Sequence, residues 1–243
     1  MRMSETSLGR VHSFQSLGTL DGPGVRFVVF LQGCNLRCSC CHNPDTWAID
    51  GGTLYTVEQV VTKAERFSSY FGEKGGITLS GGEPLLQAEF ASGIFSLCKD
   101  KGINTCLDTS GSVLSPSVKK LLDLTDRILL DIKYVEDEKY RKYVGCSIDK
   151  VVEFLDLANE KGIPTTLRQV IIPTVNDTDR EIEELVKLAQ KYPCVDGIEL
   201  LPFRKICQVK YDELGIDFPF SQKEAPGEKS MDSLRKTVEK YYR

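Results

Sequence analysis

The chain has 243 residues, 41% hydrophobic and 27% charged, which describes an ordinary globular protein long enough to bury a large α/β core. Its net charge of −4 excludes the basic footprint that a nucleic-acid-binding surface requires. No apolar run approaches the roughly 18 residues of a membrane span, and the polar start MRMSETSLGR lacks the apolar stretch of a secretory signal, so a cytoplasmic protein with no membrane association is expected.

In chain order, the first clear element is the apolar run Arg26–Gly33 (RFVVFLQG), short and β-branched as a buried parallel strand is. A helix follows, because Val57, Val60, Val61, Ala64, Phe67 and Phe71 recur at helical spacing and Thr56 with Gln59 forms a capping box. The second strand is Gly76–Gly82, and Leu86, Phe90, Ile94 and Leu97 mark a second helix. Strands are then predicted at Asn104–Gly111, Arg127–Lys133, Thr165–Pro173 and Gly197–Phe203. Helices are predicted at Pro116–Thr125, Ile148–Lys161, around Ile182, Leu185, Val186 and Ala189 (opened by Thr178 with Glu181), and at Ser230–Tyr242. No repeat or linker interrupts the chain, so one domain over residues 1–243 is expected. Six strand–helix units fall short of the eight of a closed barrel. The predicted fold is therefore α/β, an open partial (β/α)6 barrel of parallel strands with outer helices, crossing over right-handedly.

In such folds chemistry collects at the carboxyl ends of the strands, and the unusual residues fall there. Of nine cysteines, four stand within Cys34–Cys41, after the first strand. The other five are scattered and read as small buried apolar residues in a reducing compartment. Cys34, Cys38 and Cys41 form C-x3-C-x2-C. Three thiolates from one loop can hold three irons of a cubane and leave the fourth iron without a protein ligand. A structural zinc site needs four ligands, and Cys40 or His42 could supply the fourth, so spacing alone leaves both readings open. Adjacent ligands strain chelation, which favours iron–sulfur; a zinc-stabilised binding module without catalysis is the alternative of another class. Gly81-Gly82-Glu83 ends the second strand, Asp108-Thr109-Ser110-Gly111 the third, and Asp131 with Lys133 the fourth.

The cysteine spacing followed by Gly-Gly-Glu resembles the radical S-adenosylmethionine superfamily. The flanks GRVHSFQSLGTLDGPGVRFVVFLQGC, CHNPDTW, LSGGEPLLQAEF, CLDTSG, LLDIK and IELLPF narrow the resemblance to its glycyl radical enzyme activases, those acting on pyruvate formate-lyase. It runs from Gly9 to the C-terminal helix. It implies a [4Fe-4S] cluster on Cys34, Cys38 and Cys41 and S-adenosylmethionine chelated by the open iron. It further implies reductive cleavage to a 5′-deoxyadenosyl radical that takes a hydrogen atom from a glycine of pyruvate formate-lyase, the protein substrate. Flavodoxin or ferredoxin is the implied electron donor, and a monomer is expected. An activase for a different glycyl radical enzyme is the alternative within the class. Several of those carry extra C-x2-C motifs before the second strand, whereas no cysteine lies between Asn43 and Lys74.

The same resemblance assigns the cofactor contacts. Cys40, Cys41 and His42 run beside the cofactor, although a capped loop histidine is the plainer account of His42. Gly81 and Gly82 let backbone approach its methionine end. Asp131, Ile132 and Lys133 contact it from one strand, Asp131 and Lys133 from the same face. Asp108 and Thr109 suggest a monovalent cation near the cofactor carboxylate, and Arg168, charged amid an apolar strand, is expected to face the cavity. Asp21 matches a position near the incoming glycine, though a turn-former explains it more cheaply. Two positions depart from the pattern: Cys40 stands where relatives often have an aromatic, and Arg204 where they often have histidine.

Overall fold

The computed structural model describes residues 7–242; the polar segment 1–6, read above for targeting, lies outside them. One sheet of eight strands runs in the order β3-β1-β2-β4-β5-β6-β7-β8. Six of these strands are those expected from sequence: β2 (Arg26–Leu31), β4 (Gly76–Gly81), β5 (Asn104–Thr109), β6 (Arg127–Asp131), β7 (Thr165–Ile171) and β8 (Val195–Pro202). The α/β partial barrel of parallel strands and outer helices is therefore the fold.

Two strands were not anticipated. β1 (Leu8–Gly18) pairs antiparallel with β2, and β3 (Thr53–Thr56) pairs antiparallel with β1. Register shifts in β1 between Val11 and Ser13 and again between Gln15 and Gly18 insert extra residues and break the two-residue alternation by which a half-buried strand is recognised. At four residues, β3 is too short for a pattern to show.

The helices are α1 (Val57–Glu65), α2 (Ala88–Asp100), α3 (Pro116–Leu122), α4 (Asp137–Tyr143), α5 (Asp149–Glu160), α6 (Asp179–Gln190), α7 (Gln208–Leu214) and α8 (Glu228–Tyr241). The capping box of α1 forms as expected, with Gln59 N donating to Thr56 Oγ1 and Thr56 N to Gln59 Oε1. The helix stops at Glu65, and the predicted extension through Phe71 is instead a 3-10 turn at Ser68–Tyr70. The apolar face of α2 is also shifted. A 3-10 turn over Pro84–Gln87 precedes it, Leu86 is exposed, and the buried stripe is Phe90, Ala91, Ile94, Phe95 and Cys98. The short helices α4 and α7, each seven residues, carry too few turns for a periodic signal.

The described residues divide into two compact units. The first, 7–35 with Thr46–Leu129, holds β1–β5 and α1–α3. Parallel pairing is in register from Arg26 opposite Gly76 through Leu31 opposite Gly81, and from Gly76 opposite Asn104 through Leu79 opposite Leu107. Val28, Val29, Leu31, Ile77, Leu79 and Leu107 are buried with the inner faces of α1 and α2, each such side chain contributing about 1.5–3 kcal/mol. The second unit, Leu36–Asp45 with 130–242, pairs β7 with β8 in parallel. Its core is built on Leu167, Ile171 and Leu200 with Val151, Phe154 and Leu155 of α5 and Ile182, Leu185 and Val186 of α6.

One core feature went unread in the sequence. Arg26, at the start of β2, is wholly buried. Its guanidinium donates to Thr78 Oγ1 (3.0 Å), Ile77 O (2.6 Å), Asn104 Oδ1 (2.8 Å) and Lys74 O (3.0 Å). Thr78 passes the contact on by donating to Asp21 O (2.7 Å). The N-terminal ends of β2, β4 and β5 are thus laced by one charged side chain whose donors are met by hydroxyl, carbonyl and amide oxygens. Burial lowers the Arg26 pKa, with Cys106 and Asp126 opposing that effect. Asp21 lies in the bend entering this end of β2, where its carbonyl accepts from Thr78.

Candidate functional site

Where β2 ends, the chain enters the cysteine loop. Gly33 N donates to Thr46 O (2.7 Å) and Cys34 N to Trp47 O (3.4 Å), so the residues on either side of the loop are tied together. The end of β4 is laid against the same place. Gly81 has φ +110°, and a Cβ there would stand 2.4 Å from Leu31 N; a Cβ on Gly82 would stand 2.1 Å from Gly33 O. Both glycines are therefore required by the close approach of backbone, of β2 at Gly81 and of Gly33 just beyond β2 at Gly82. That approach lets Gly82 N donate to Leu31 O (2.9 Å) and Glu83 N to Gly33 O (2.8 Å).

Glu83 itself is buried. Its carboxylate accepts from Thr109 Oγ1 (2.6 Å), Leu85 N (3.1 Å), Ser110 N (3.0 Å) and the Ser110 hydroxyl. Burial raises its pKa, and the Ser110 and Thr109 hydrogen bonds oppose the rise. One strand position away, Asp108 is half-buried and accepts from Ser80 Oγ at 2.7 Å. Asp108 and Thr109 thus sit at the carboxyl end of β5 as predicted, with Thr109 committed to Glu83.

The rest of the loop is fastened by later parts of the chain. Arg37 N donates to Val144 O (3.3 Å) and Ser39 N to Tyr143 O (2.8 Å), while Cys41 N turns back onto Cys38 O (3.0 Å). Tyr211 of α7 donates its hydroxyl to Cys41 O (3.2 Å), and Lys210 donates to Asn43 Oδ1 (2.9 Å) and Asp45 Oδ1 (3.0 Å). His42 Nε2 lies 3.0 Å from Arg204 O. Since a carbonyl can only accept, the imidazole carries its proton on Nε2. Burial lowers the His42 pKa against the pull of that carbonyl, with Lys133 and Lys210 lowering it further, so the ring is neutral at pH 7. His42 and Arg204, each separately expected beside the cofactor, are brought together through the Arg204 backbone; the Arg204 side chain is exposed. Lys210, Tyr211 and the Tyr143–Val144 carbonyls were missed, since nothing in a seven-residue helix or in a backbone carbonyl announces a loop clamp.

The four cysteines separate cleanly. None of the nine is in a disulfide; Cys34, Cys38 and Cys41 are half-buried while Cys40 is 8% exposed. Burial pushes the Cys40 thiol up to about 11, with Lys133 opposing, so it stays a neutral thiol at physiological pH. The donor set is thus three accessible thiols and one withdrawn, which fits a cubane that takes three thiolates. Among the described residues no three His, Cys, Asp or Glu side chains converge on a single ion.

Asp131 accepts from Lys133 Nζ and from Arg168 Nε (3.2 Å), with side-chain exposures of 21%, 17% and 10% for the three. Ile132 between them is buried, and its N–H donates to Arg168 O (2.9 Å). Burial works against the Asp131 charge, but Lys133 and Arg168 outweigh it and hold the carboxyl below its usual range. Lys133 is correspondingly raised: burial lowers it, and Asp131, followed by Cys38 and Cys40, more than reverses this. Arg168, charged amid an apolar strand, is paired with Asp131. The trio is one anion and two cations, a locally positive site.

The model of the radical SAM superfamily matches residues 28–189. The chain is 42% identical over 235 residues to a pyruvate formate-lyase-activating enzyme of Clostridium pasteurianum, covering 96% of this chain and 97% of that one. It is 38% identical over 237 residues to pyruvate formate-lyase 1-activating enzyme of Escherichia coli K12, covering 96% of each. Among solved structures, Streptococcus suis SuiB bound to precursor peptide SuiA superposes with a TM-score of 0.70 at 14% identity, over 88% of this chain and 45% of that one. A radical SAM methyltransferase from Sphaerobacter thermophilus does so with 0.66 at 19%, over 89% and 64%; at these identities the likeness is one of fold. No helix among the described residues is long and apolar enough to cross a membrane. The chain belongs to the radical SAM superfamily, in its group of pyruvate formate-lyase-activating enzymes.

Proposed function

We infer that this protein activates pyruvate formate-lyase by installing a glycyl radical on it. The observation that carries the reading is identity to activating enzymes along 96% of the chain, joined to a loop of three accessible cysteines. Cys34, Cys38 and Cys41 would hold the [4Fe-4S] cluster, and three protein ligands would leave S-adenosylmethionine a place on it. When bound, the cluster and S-adenosylmethionine supply reductive sulfonium cleavage and the radical that abstracts a hydrogen atom from glycine.

The protein's own part is orientation and exclusion of water. Gly81 and Gly82 bring the end of β4 onto the cysteine loop. The trio of Asp131, Lys133 and Arg168 offers one carboxylate to a hydroxyl or ammonium group and an excess positive charge to a carboxylate. Ile132 keeps that pair of strands closed by its backbone bond. Asp108, half-buried, is the candidate ligand for a monovalent cation. Cys40 and His42 line the cofactor side of the loop without donating a proton to it, since hydrogen-atom transfer needs neither acid nor base. Arg204 contributes its carbonyl to hold His42. The electron comes from a flavodoxin or ferredoxin, and the enzyme works as a monomer in a reducing cytoplasm, where nine unbridged cysteines are stable.

The test is anaerobic incubation of reconstituted protein with S-adenosylmethionine, a reductant and pyruvate formate-lyase, followed by electron paramagnetic resonance. A glycyl radical signal is expected. No signal here, but one with a different glycyl radical enzyme, would move the protein to that other class of activase.

A further inference from the structure

Cys34 is held from both sides by one residue. Before it, Gly33 O accepts from Glu83 N at 2.8 Å. After it, Asn35 Nδ2 donates to Ser112 Oγ at 3.1 Å, and Ser112 Oγ lies 3.0 Å from Ser110 Oγ, which in turn donates to the Glu83 carboxylate. Ser110 has one hydroxyl proton, and its Oγ lies closer to the Glu83 carboxylate than to Ser112 Oγ, so that proton goes to Glu83. Ser112 then donates to Ser110 and accepts from Asn35 Nδ2 at 3.1 Å, Asn35 Oδ1 being the more distant partner at 3.4 Å. Chains of hydroxyls in a low-dielectric interior polarise one another, and Ser112, 4% exposed, is shielded from water. Glu83 is meanwhile fixed by Thr109 Oγ1 and Leu85 N, so it is a rigid post.

We propose that Glu83 is a positioning residue for the first cluster ligand: its N–H sets Gly33 and its carboxylate, relayed through Ser110 and Ser112, sets Asn35, so the Cys34 backbone between them has one orientation. The proposal rests on the assignment of Cys34 as a cluster ligand. It gives the third residue of Gly-Gly-Glu a role through protein atoms, because its carboxylate oxygens are occupied by Thr109, Leu85 and Ser110. It also accounts for two serines, Ser110 and Ser112, and for Asn35, none of which the reaction uses directly. Partners of metal ligands at one remove fix ligand orientation, and their loss costs about 10–100-fold in metal affinity or activity.

The test uses the reconstituted full-length protein with Ser112→Ala, which cuts the relay beyond Ser110 and leaves every Glu83 contact in place, so the fold is preserved. The readouts are the rate of iron loss to a chelator and the electron paramagnetic resonance spectrum of the reduced cluster with and without S-adenosylmethionine. In Ser112→Ala, iron loss about tenfold faster and a broadened, heterogeneous spectrum are expected. Ser112→Thr, which keeps the hydroxyl, should restore both. Asn35→Ala should act like Ser112→Ala, and the double variant should add nothing, because both cut one chain. Wild-type chelation rate and spectrum in Ser112→Ala would overturn the proposal. Cys34→Ala run alongside separates the two layers: retention of the full iron complement there would remove the ligand assignment instead.

Discussion

Two buried ionisable side chains stand at opposite ends of the same three strands, and they are used differently. At the N-terminal ends of β2, β4 and β5, Arg26 spends its donors on oxygens of Thr78, Ile77, Asn104 and Lys74, while the candidates Gly81 and Asp108 stand at the other end of β4 and β5. At the C-terminal ends, Glu83 collects donors from Thr109, Ser110 and Leu85 while its backbone holds the residue before Cys34. A barrel strand keeps stability at its N-terminal end and chemistry at its C-terminal end, and here one buried ionisable residue serves each. Both are satisfied completely, as buried charges must be. The lesson is that a buried charge in this fold is read by the end of the strand it closes, and its burial alone does not distinguish a structural lace from a support for the site.

The sharpest contrast at the C-terminal end is among the cysteines. Cys34→Ala, Cys38→Ala or Cys41→Ala should each abolish cluster assembly and glycyl radical formation, while Cys40→Ala should keep its iron; iron and sulfide analysis after anaerobic reconstitution decides. Loss of iron in Cys40→Ala would show that the wrong three were chosen. At the other end, Arg26→Met removes a charge but strands several buried oxygens, and since each unsatisfied buried group costs about 1–3 kcal/mol, a loss of at least about 3 kcal/mol in urea unfolding is expected. Folded Arg26→Met should still bind a full cluster. If that variant lost its cluster while keeping its stability, the division between the two ends would fail.

A smaller effect separates thiol environments. In the apo-protein at pH 8, an alkylating reagent should modify Cys34, Cys38 and Cys41 well before Cys40 or Cys98, whose thiols burial pushes up to about 11 and about 12; peptide mapping by mass spectrometry reads the order. The smallest effect concerns pH. With its folded pKa held below the unfolded value by Lys133 and Arg168, Asp131 contributes stability that is present above the unfolded carboxylate value, near 4. That contribution is lost as pH falls through the lower folded value. Asp131→Asn should therefore be less stable than wild type at pH 7, and the difference should shrink on acidification below about pH 4. A difference that grew on acidification would mean that the carboxylate is not the stabilised form.

Much of this was legible in advance, and for identifiable reasons. Parallel strands buried on both faces are continuous apolar runs, so RFVVFL and RILLD announce themselves. The three cluster-ligand candidates stand in one short loop, so their spacing is a sequence property. What escaped lacked a local signature. β1 hid because its bulges break the alternation, and α4 and α7 because each is short and opens without a capping side chain, unlike the equally short α3 with Ser115 and Pro116. Arg26 looked like the polar start of a strand, since its partners are 48 to 78 residues away.

The sequence by itself determined the superfamily, the strand ends where chemistry collects, and which cysteines are ligand candidates, because spacing and hydrophobic periodicity are written in consecutive residues. Only the tertiary structure decided that Cys40 is the withdrawn thiol. It also decided that Gly81 and Gly82 yield room to the backbone of β2, and that Glu83 reaches Asn35 through two serines. These are matters of packing and of hydrogen bonds between segments far apart in the chain, where burial excludes water and leaves each donor one partner.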